Sequence, residues 1–140
     1  MKKNENTAEN QARAQLDSIL EMMKARDKAS GTEQKVELEE GYPLDADEIT
    51  ECMQENALSV ETRSGWTMHP HEMTPEEFRI VLCTGGPHVE IKGTLGEYSE
   101  PDSASLYFQD WGTPLTKYTN TTEEEDADLL QYCTVFYFGE

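Results

Sequence analysis

The sequence is poor in basic residues, and this deficit limits the partners that the protein can have. Only 11 of its 140 residues are Lys or Arg, against 29 Asp or Glu, so the formal net charge is −18 at pH 7. Such a chain repels nucleic acid and anionic membranes at long range and attracts basic surfaces. We therefore expect a basic macromolecular partner, and neither direct nucleic-acid binding nor membrane association.

Cysteines and long apolar runs are also scarce. The three cysteines, Cys52, Cys83 and Cys133, are scattered and form no CxxC pair. This pattern does not provide a disulfide framework and favours a reduced cytoplasmic setting. No apolar run follows the two lysines at the start, so we predict no signal peptide. No stretch approaches the length of a membrane span.

Catalytic and cofactor-binding motifs are missing as well. The sequence has no GxSxG, no phosphate-binding loop and no dinucleotide fingerprint. His69, His71, His88 and Cys83 offer metal ligands, but their spacing matches no zinc or facial-triad pattern. Cys83 and His88 would need a hairpin to bring them together as nucleophile and base. We predict no enzyme, no catalytic residue, no metal and no cofactor; a small enzyme or metal-binding protein is the second alternative.

What is present is the pattern of a single acidic α+β domain over residues 1–140. We divide it into an N-terminal helix over 1–30, a connector over 31–43 and a body over 44–140. Residues 36–140 contain 23 acidic residues and only four basic ones, which are Arg63, Arg79, Lys92 and Lys117. The body is therefore a polyanion that follows a nearly neutral helix.

Three helices are predicted from apolar spacing and capping residues. Their ranges, with the capping pairs, are 7–28 (Asn6 with Glu9), 46–57 (Asp45 with Glu48) and 123–132 (Thr122 with Glu125). Gly31 is the predicted stop of the first helix. Since the apolar stripe of this helix is narrow, it packs either on the body or against a second copy, so the protein is a monomer or a homodimer.

Four strands are predicted, of which 89–95 shows alternating apolar and polar residues, and an apolar run near residue 136 predicts a fifth. The ranges are 58–63, 78–83, 89–95, 104–109 and 134–138. A turn over 84–87 joins the second and third strands into a hairpin. The order of elements favours a mostly antiparallel sheet of four to five strands, with N-terminal helices and one short helix before the last strand.

The candidate partner-binding residues are carboxylates that cluster on the predicted helices. Asp47, Glu51 and Glu55 repeat every four residues, a rise of about 6 Å per step, which is similar in order to the spacing of backbone phosphates. This row is either a nucleic-acid-like face for a basic partner or an ordinary solvated face. The remaining carboxylates of the predicted site are Glu37, Glu39, Glu40, Glu48, Glu123, Glu124, Glu125, Asp126 and Asp128.

Asp110 and Trp111 complete the predicted site. They follow the aromatic pair Tyr107 and Phe108 at the end of a predicted strand. A tryptophan in this position either anchors a partner or closes the edge of the core. Trp66 presents the same two alternatives.

Five blocks, at 10–19, 60–66, 75–87, 107–114 and 136–140, span most of the chain. Together they resemble a group of small acidic proteins from phages and mobile elements of gut Firmicutes, associated with anti-CRISPR inhibitors of type II (Cas9) systems. The resemblance implies a non-catalytic inhibitor in the bacterial host cytoplasm. It would bind a Cas nuclease, such as a Cas9–guide RNA complex, stoichiometrically and with partial DNA mimicry. The alternative is an anti-restriction or regulatory protein with another basic partner.

Overall fold

The computed structural model describes residues 7–32, 36–37, 43–66, 74–84, 86–136 and 138. Within them the α+β class predicted from the sequence is confirmed. The elements are α1 (Ala8–Thr32), β1 (Val36–Glu37), β2 (Pro43–Leu44), α2 (Ala46–Glu55), β3 (Ser59–Ser64), β4 (Pro75–Cys83), β5 (His88–Thr94), β6 (Ser105–Gln109), β7 (Thr116–Lys117) and α3 (Glu123–Cys133). No helix in these ranges combines the length and the hydropathy needed to cross a membrane.

Strands β3 to β7 form one antiparallel sheet in which chain order and spatial order coincide. Each strand pairs with the next, so that Ile80 lies opposite Ile91, and Ile91 opposite Leu106. The edges of this sheet are β3 and the two-residue strand β7. A separate ribbon pairs β1 with β2 inside the segment predicted as a connector. Glu37 lies in β1, whereas Glu39 and Glu40 lie outside the described residues.

The two faces of the large sheet have opposite chemistry, because successive strand residues point to opposite sides. Phe78, Ile80, Val89, Ile91 and Leu106 are buried together with the helices in one core. α1 contacts β5, β6, α2 and α3, so the helices cover this apolar face. We call the opposite face, which carries the alternate strand residues, the open face.

The apolar stripe of α1 packs against the core of its own chain. Ala12, Leu16, Ile19 and Met23 are all buried in the core. Of the two alternatives for this helix, packing on the body is therefore the one observed, and the stripe is not free to pair with a second copy. The helix continues to Thr32, past the predicted stop.

The first turn of α1 is capped by a neighbouring residue and by a distant one. The Thr7 hydroxyl accepts a hydrogen bond from the Asn10 N–H at 3.2 Å. The Ala8 N–H donates to Asp110 Oδ1 at 2.7 Å. Asn6, the predicted cap, lies outside the described residues. A local residue and a distant one thus share the cap.

Both internal capping boxes are confirmed. Asp45 accepts from the Glu48 N–H at 2.9 Å, and the Glu48 side chain accepts from the Asp45 N–H at 3.0 Å. Thr122 and Glu125 make the same reciprocal bonds at 3.1 and 3.2 Å. These boxes satisfy backbone donors that a helix leaves unpaired at its start.

The predicted strand over 134–138 is wrong in the described residues. After α3 the chain makes tight turns, in which the Val135 N–H donates to the Tyr132 carbonyl at 3.2 Å. Phe136 packs edge-on against Tyr132 at 5.3 Å, and Phe138 lies 4.8 Å from Phe78 between ring centroids. The apolar run is therefore satisfied by aromatic burial in the core rather than by strand pairing, and β7 is the fifth strand of the sheet.

Candidate functional site

The predicted row of carboxylates on α2 faces solvent. Asp47, Glu51 and Glu55 are exposed, while Ile49 and Met53 on the opposite side are fully buried. Glu48 is also exposed, and no residue of α2 is basic. Ile49 and Met53 fix the rotation of the helix, so the acidic side cannot turn inward without loss of core contacts.

α3 presents a second acidic surface at its first turn. Glu123, Glu124 and Asp126 are exposed, Asp128 is half-buried, and the helix has no basic residue. Carboxylates near a helix N-terminus are stabilised by the partial positive charge of the helix dipole. The Asp126 Oδ1 also accepts a hydrogen bond from the Thr121 hydroxyl at 2.7 Å. This cluster therefore favours helix formation as well as presenting negative charge.

Glu125, one of the predicted partner-binding residues, has an internal partner. The Arg13 guanidinium donates to both of its oxygens, at 2.8 and 3.3 Å, and thereby joins α1 to α3. These bonds, together with the N–H of Thr122, lower the pKa of Glu125. Only 20% of the Glu125 side chain is exposed. Glu125 thus has a structural role in the described residues.

Asp110 also has an internal partner, whereas its neighbour Trp111 is exposed. Its carboxylate caps α1 through the Ala8 N–H. Trp111, in the turn between β6 and β7, is 96% exposed, and Trp66 after β3 is fully exposed. Of the two alternatives for these tryptophans, closure of the core edge is wrong, and both indoles face solvent. Large exposed aromatic side chains are the residue type that most often anchors an interface.

The open face carries all of the positive charge of residues 36–140, a feature that sequence reasoning missed. Lys92 lies opposite Arg79 across the sheet, and Lys117 lies opposite Tyr107. Arg63 pairs with Glu77 on the neighbouring strand. The signal was present in part, because Arg63, Arg79 and Lys92 lie in predicted strands, whereas Lys117 lies in β7, which was not predicted. The strand register was needed to bring the four bases together.

The charges on this face are arranged in cross-strand pairs. Arg63 Nε donates to Glu77 at 2.7 Å, and Arg79 Nε donates to Glu61 at 2.8 Å. The Lys92 ammonium lies 4.7 Å from the centroid of the Tyr107 ring. These groups line a shallow cleft of about 580 Å³. The cleft offers cations and hydroxyls. Each of the three bases that line it, Arg63, Arg79 and Lys92, already has an internal partner.

Glu90 is the one buried charged or polar side chain of the described residues, with a relative exposure of 1%. Its Oε1 lies 2.7 Å from His88 Nε2 and 3.9 Å from the Arg79 guanidinium. Its Oε2 has no hydrogen-bond partner in the described part of the chain. Burial of a carboxylate oxygen without a partner costs free energy. This residue was also missed, since a glutamate at a polar strand position is usually exposed.

Cys83 and His88 do not form a nucleophile–base pair. The Cys83 thiol donates to the Pro87 carbonyl at 3.5 Å, and burial raises the pKa of this thiol, which disfavours the thiolate. The two His88 nitrogens contact Thr84 and Glu90 instead. The described residues contain no cluster of three or more metal-ligating side chains. His69 and His71 lie outside them.

No protein family, curated protein or solved structure matches the chain. The class of the protein is therefore defined by its own fold and surface. It is an α+β protein with a single antiparallel meander, whose helical side presents two base-free acidic helices and whose open face presents paired charges.

Proposed function

We propose that the protein inhibits a nucleic-acid-binding effector by binding its basic surface in place of nucleic acid. The observation that supports this most is the separation of charge. α2 and α3 present acidic side chains and contain no base, whereas every base of residues 36–140 lies on the opposite side of the sheet. α1, in the same layer, contains four basic and four acidic residues. The exposed carboxylates of α2 and α3, apart from Glu125, are thus available to a basic partner.

The two acidic helices belong to one packed layer, which favours a defined surface over a diffuse charge. α1 lies against both helices. Their ends also meet directly, because the Tyr132 hydroxyl donates to the Met53 carbonyl at 3.2 Å and the Gln54 side chain donates to the Val135 carbonyl at 2.6 Å. A preorganised charged surface binds with a smaller entropic cost than a flexible acidic tail.

The resemblance to anti-CRISPR proteins of type II systems makes a Cas9-type nuclease loaded with guide RNA the effector that we propose. Such a complex holds nucleic acid in a positively charged channel through backbone geometry and charge. A polyanion that enters this channel competes with target DNA without catalysis. Charge complementarity predicts fast association that weakens with salt.

The test measures binding to a Cas9–guide RNA complex at low and high salt, with target DNA as competitor. The variant Glu51→Lys/Glu55→Lys reverses charge on α2 beyond its first turn, so the favourable charge at the helix N-terminus is retained. We expect affinity to fall by at least about tenfold, a loss of about 1.4 kcal/mol. The matched control is Glu21→Lys/Asp27→Lys, which makes the same change of net charge at exposed positions of α1.

Each outcome of this experiment decides one part of the proposal. An equal loss of affinity in both variants would mean that net charge, and not the α2 surface, controls binding. Binding that survives high salt would contradict mimicry of nucleic acid. No binding to the Cas9–guide RNA complex at low salt would reject the Cas9 assignment and leave the anti-restriction alternative.

A further inference from the structure

Several exposed apolar side chains of the described chain lie in or beside β3. Leu58 is 61% exposed, Val60 is 38% exposed, and Trp66 is fully exposed. These are three of the five large apolar side chains that remain exposed in the described residues. All three lie in β3 or within two residues of its ends. In the described residues, most of the exposed large apolar side chains thus lie in or next to β3, the others being Tyr98 and Trp111.

β3 is also an unpaired edge of the main sheet. It pairs with β4 on one side, and no described strand pairs with it on the other. An edge strand presents a row of N–H and C=O groups that can hydrogen-bond to another strand. With six residues, β3 is long enough to be extended by such pairing, whereas the opposite edge, β7, has only two residues.

The charges on β3 indicate which strand fits this edge. Glu61 and Arg63 are two positions apart, so they lie on the same face, and their signs are opposite. Two copies of β3 can pair antiparallel about a two-fold axis that passes through Thr62. Glu61 of each copy then lies opposite Arg63 of the other. Axes through Glu61 or Arg63 would instead place like charges opposite each other, which is destabilising.

Contacts inside one chain extend this pattern across the two-fold axis. Arg79 of β4 bonds to Glu61, and Glu77 of β4 bonds to Arg63. In the symmetric pair these residues form two rows of alternating sign, each running from Arg79 and Glu61 of one copy to Arg63 and Glu77 of the other. The same register brings the Leu58 end of one strand to the Trp66 end of its partner. Charge and apolar exposure therefore favour the same arrangement.

We propose that the protein forms a symmetric homodimer through antiparallel pairing of β3 with β3 of a second copy. The two five-stranded sheets then become one continuous sheet, with both helical layers on the same side. The register with β4 shifts between Arg63 and Ser64, where Glu76 of β4 has no partner on β3. The proposal is independent of the proposed function, because α2 and α3 take no part in the contact.

The mass in solution tests the proposal, measured on the full chain by sedimentation equilibrium over a range of concentrations. We expect a dimer of the 15.9 kDa chain. Arg63→Glu and Glu61→Arg each place like charges across the axis, so each variant alone should dissociate at least about tenfold more readily. An equimolar mixture of the two variants restores opposite charges in both rows and should form a heterodimer.

The mixture distinguishes the register from a general loss of folding, because a misfolded variant would not regain association. Trp66→Ser should also weaken the dimer, whereas the matched control Trp111→Ser, at an equally exposed position, should not. A wild-type chain that stays monomeric at every concentration would overturn the proposal. So would a dimer that is insensitive to both single charge reversals, because its interface would then lie elsewhere.

Discussion

At the scale of single residues, Glu90 has the least favourable surroundings. It lies on a central strand, opposite Val81 and Tyr107, and one of its oxygens has no partner in the described residues. Its neighbour Arg79 is also bonded to Glu61, and both Arg79 and His88 reach solvent. Neither neighbour would therefore be left as an isolated buried charge if the Glu90 carboxylate were removed.

We expect Glu90→Met to raise the free energy of unfolding by about 1 kcal/mol, because an apolar side chain of similar length avoids the cost of burying the carboxylate. Urea denaturation measures this change, and Glu100→Met at an exposed position is the control. A clear loss of stability would show that the carboxylate makes a favourable interaction that outweighs its burial.

Glu125 shows the opposite case, a carboxylate that is stabilised in the folded state. Arg13 lowers its pKa. Its contribution to stability is therefore fully present above the ordinary glutamate pKa of about 4.3 and is lost as the pH falls through the lower folded value. We expect Glu125→Gln to cost about 0.5–1 kcal/mol near pH 7, and the difference from wild type to shrink steadily as the pH is lowered below about 4.3.

Urea denaturation at neutral and at acidic pH measures this difference. Glu124→Gln, at an exposed position of the same helix turn, is the matched control. A cost that persists unchanged at the acidic pH would mean that Glu125 acts through its hydrogen bonds to the cap rather than through its charge.

At the scale of elements, local signals could be predicted from the sequence and distant ones could not. The starts of α2 and α3 are found to the residue, because Asp45 and Thr122 cap them through partners three positions away. β7, by contrast, has two residues and no periodicity to detect. The run at 134–138 is apolar on both faces, and such a run does not distinguish a strand from aromatic burial.

The same distinction holds for the candidate site. The exposure of Asp47, Glu51 and Glu55 follows from helical spacing, and the structure confirms it. The internal roles of Asp110 and Glu125 depend on partners 102 and 112 positions away, at Ala8 and Arg13. No local pattern contains those contacts. Sequence reasoning therefore locates the acidic surfaces and the local helix caps, but not the carboxylates that the fold uses in long-range contacts.

At the scale of the whole molecule, the net charge of −18 is a source of self-repulsion as well as a means of recognition. The exposed carboxylates of α2 and α3 have no base within their own helices. Repulsion among exposed charges is screened by salt, whereas the buried core contacts are not. The free energy of unfolding should therefore rise as added salt screens this repulsion.

We expect the melting temperature to rise with added sodium chloride, by about 4 °C for each kcal/mol of repulsion that is screened. Differential scanning calorimetry over a salt series measures this effect. The α2 variant Glu51→Lys/Glu55→Lys, which carries less negative charge, should show a smaller rise. A melting temperature that falls with salt would mean that exposed ion pairs, such as Arg63 with Glu77, dominate instead.

The cap that Asp110 provides to α1 has a consequence for the order of events during synthesis. α1 leaves the ribosome before the strands that cover it. The Ala8 N–H at its start can be capped by Asp110 only after another 102 residues have been made. Its apolar side likewise waits for β5 and β6. A nascent chain can therefore form this helix only transiently until β6 has emerged, and contacts of such long range slow folding. The fold is therefore completed late. Until then the apolar side of α1 is exposed, and this is the stage at which chaperones would act.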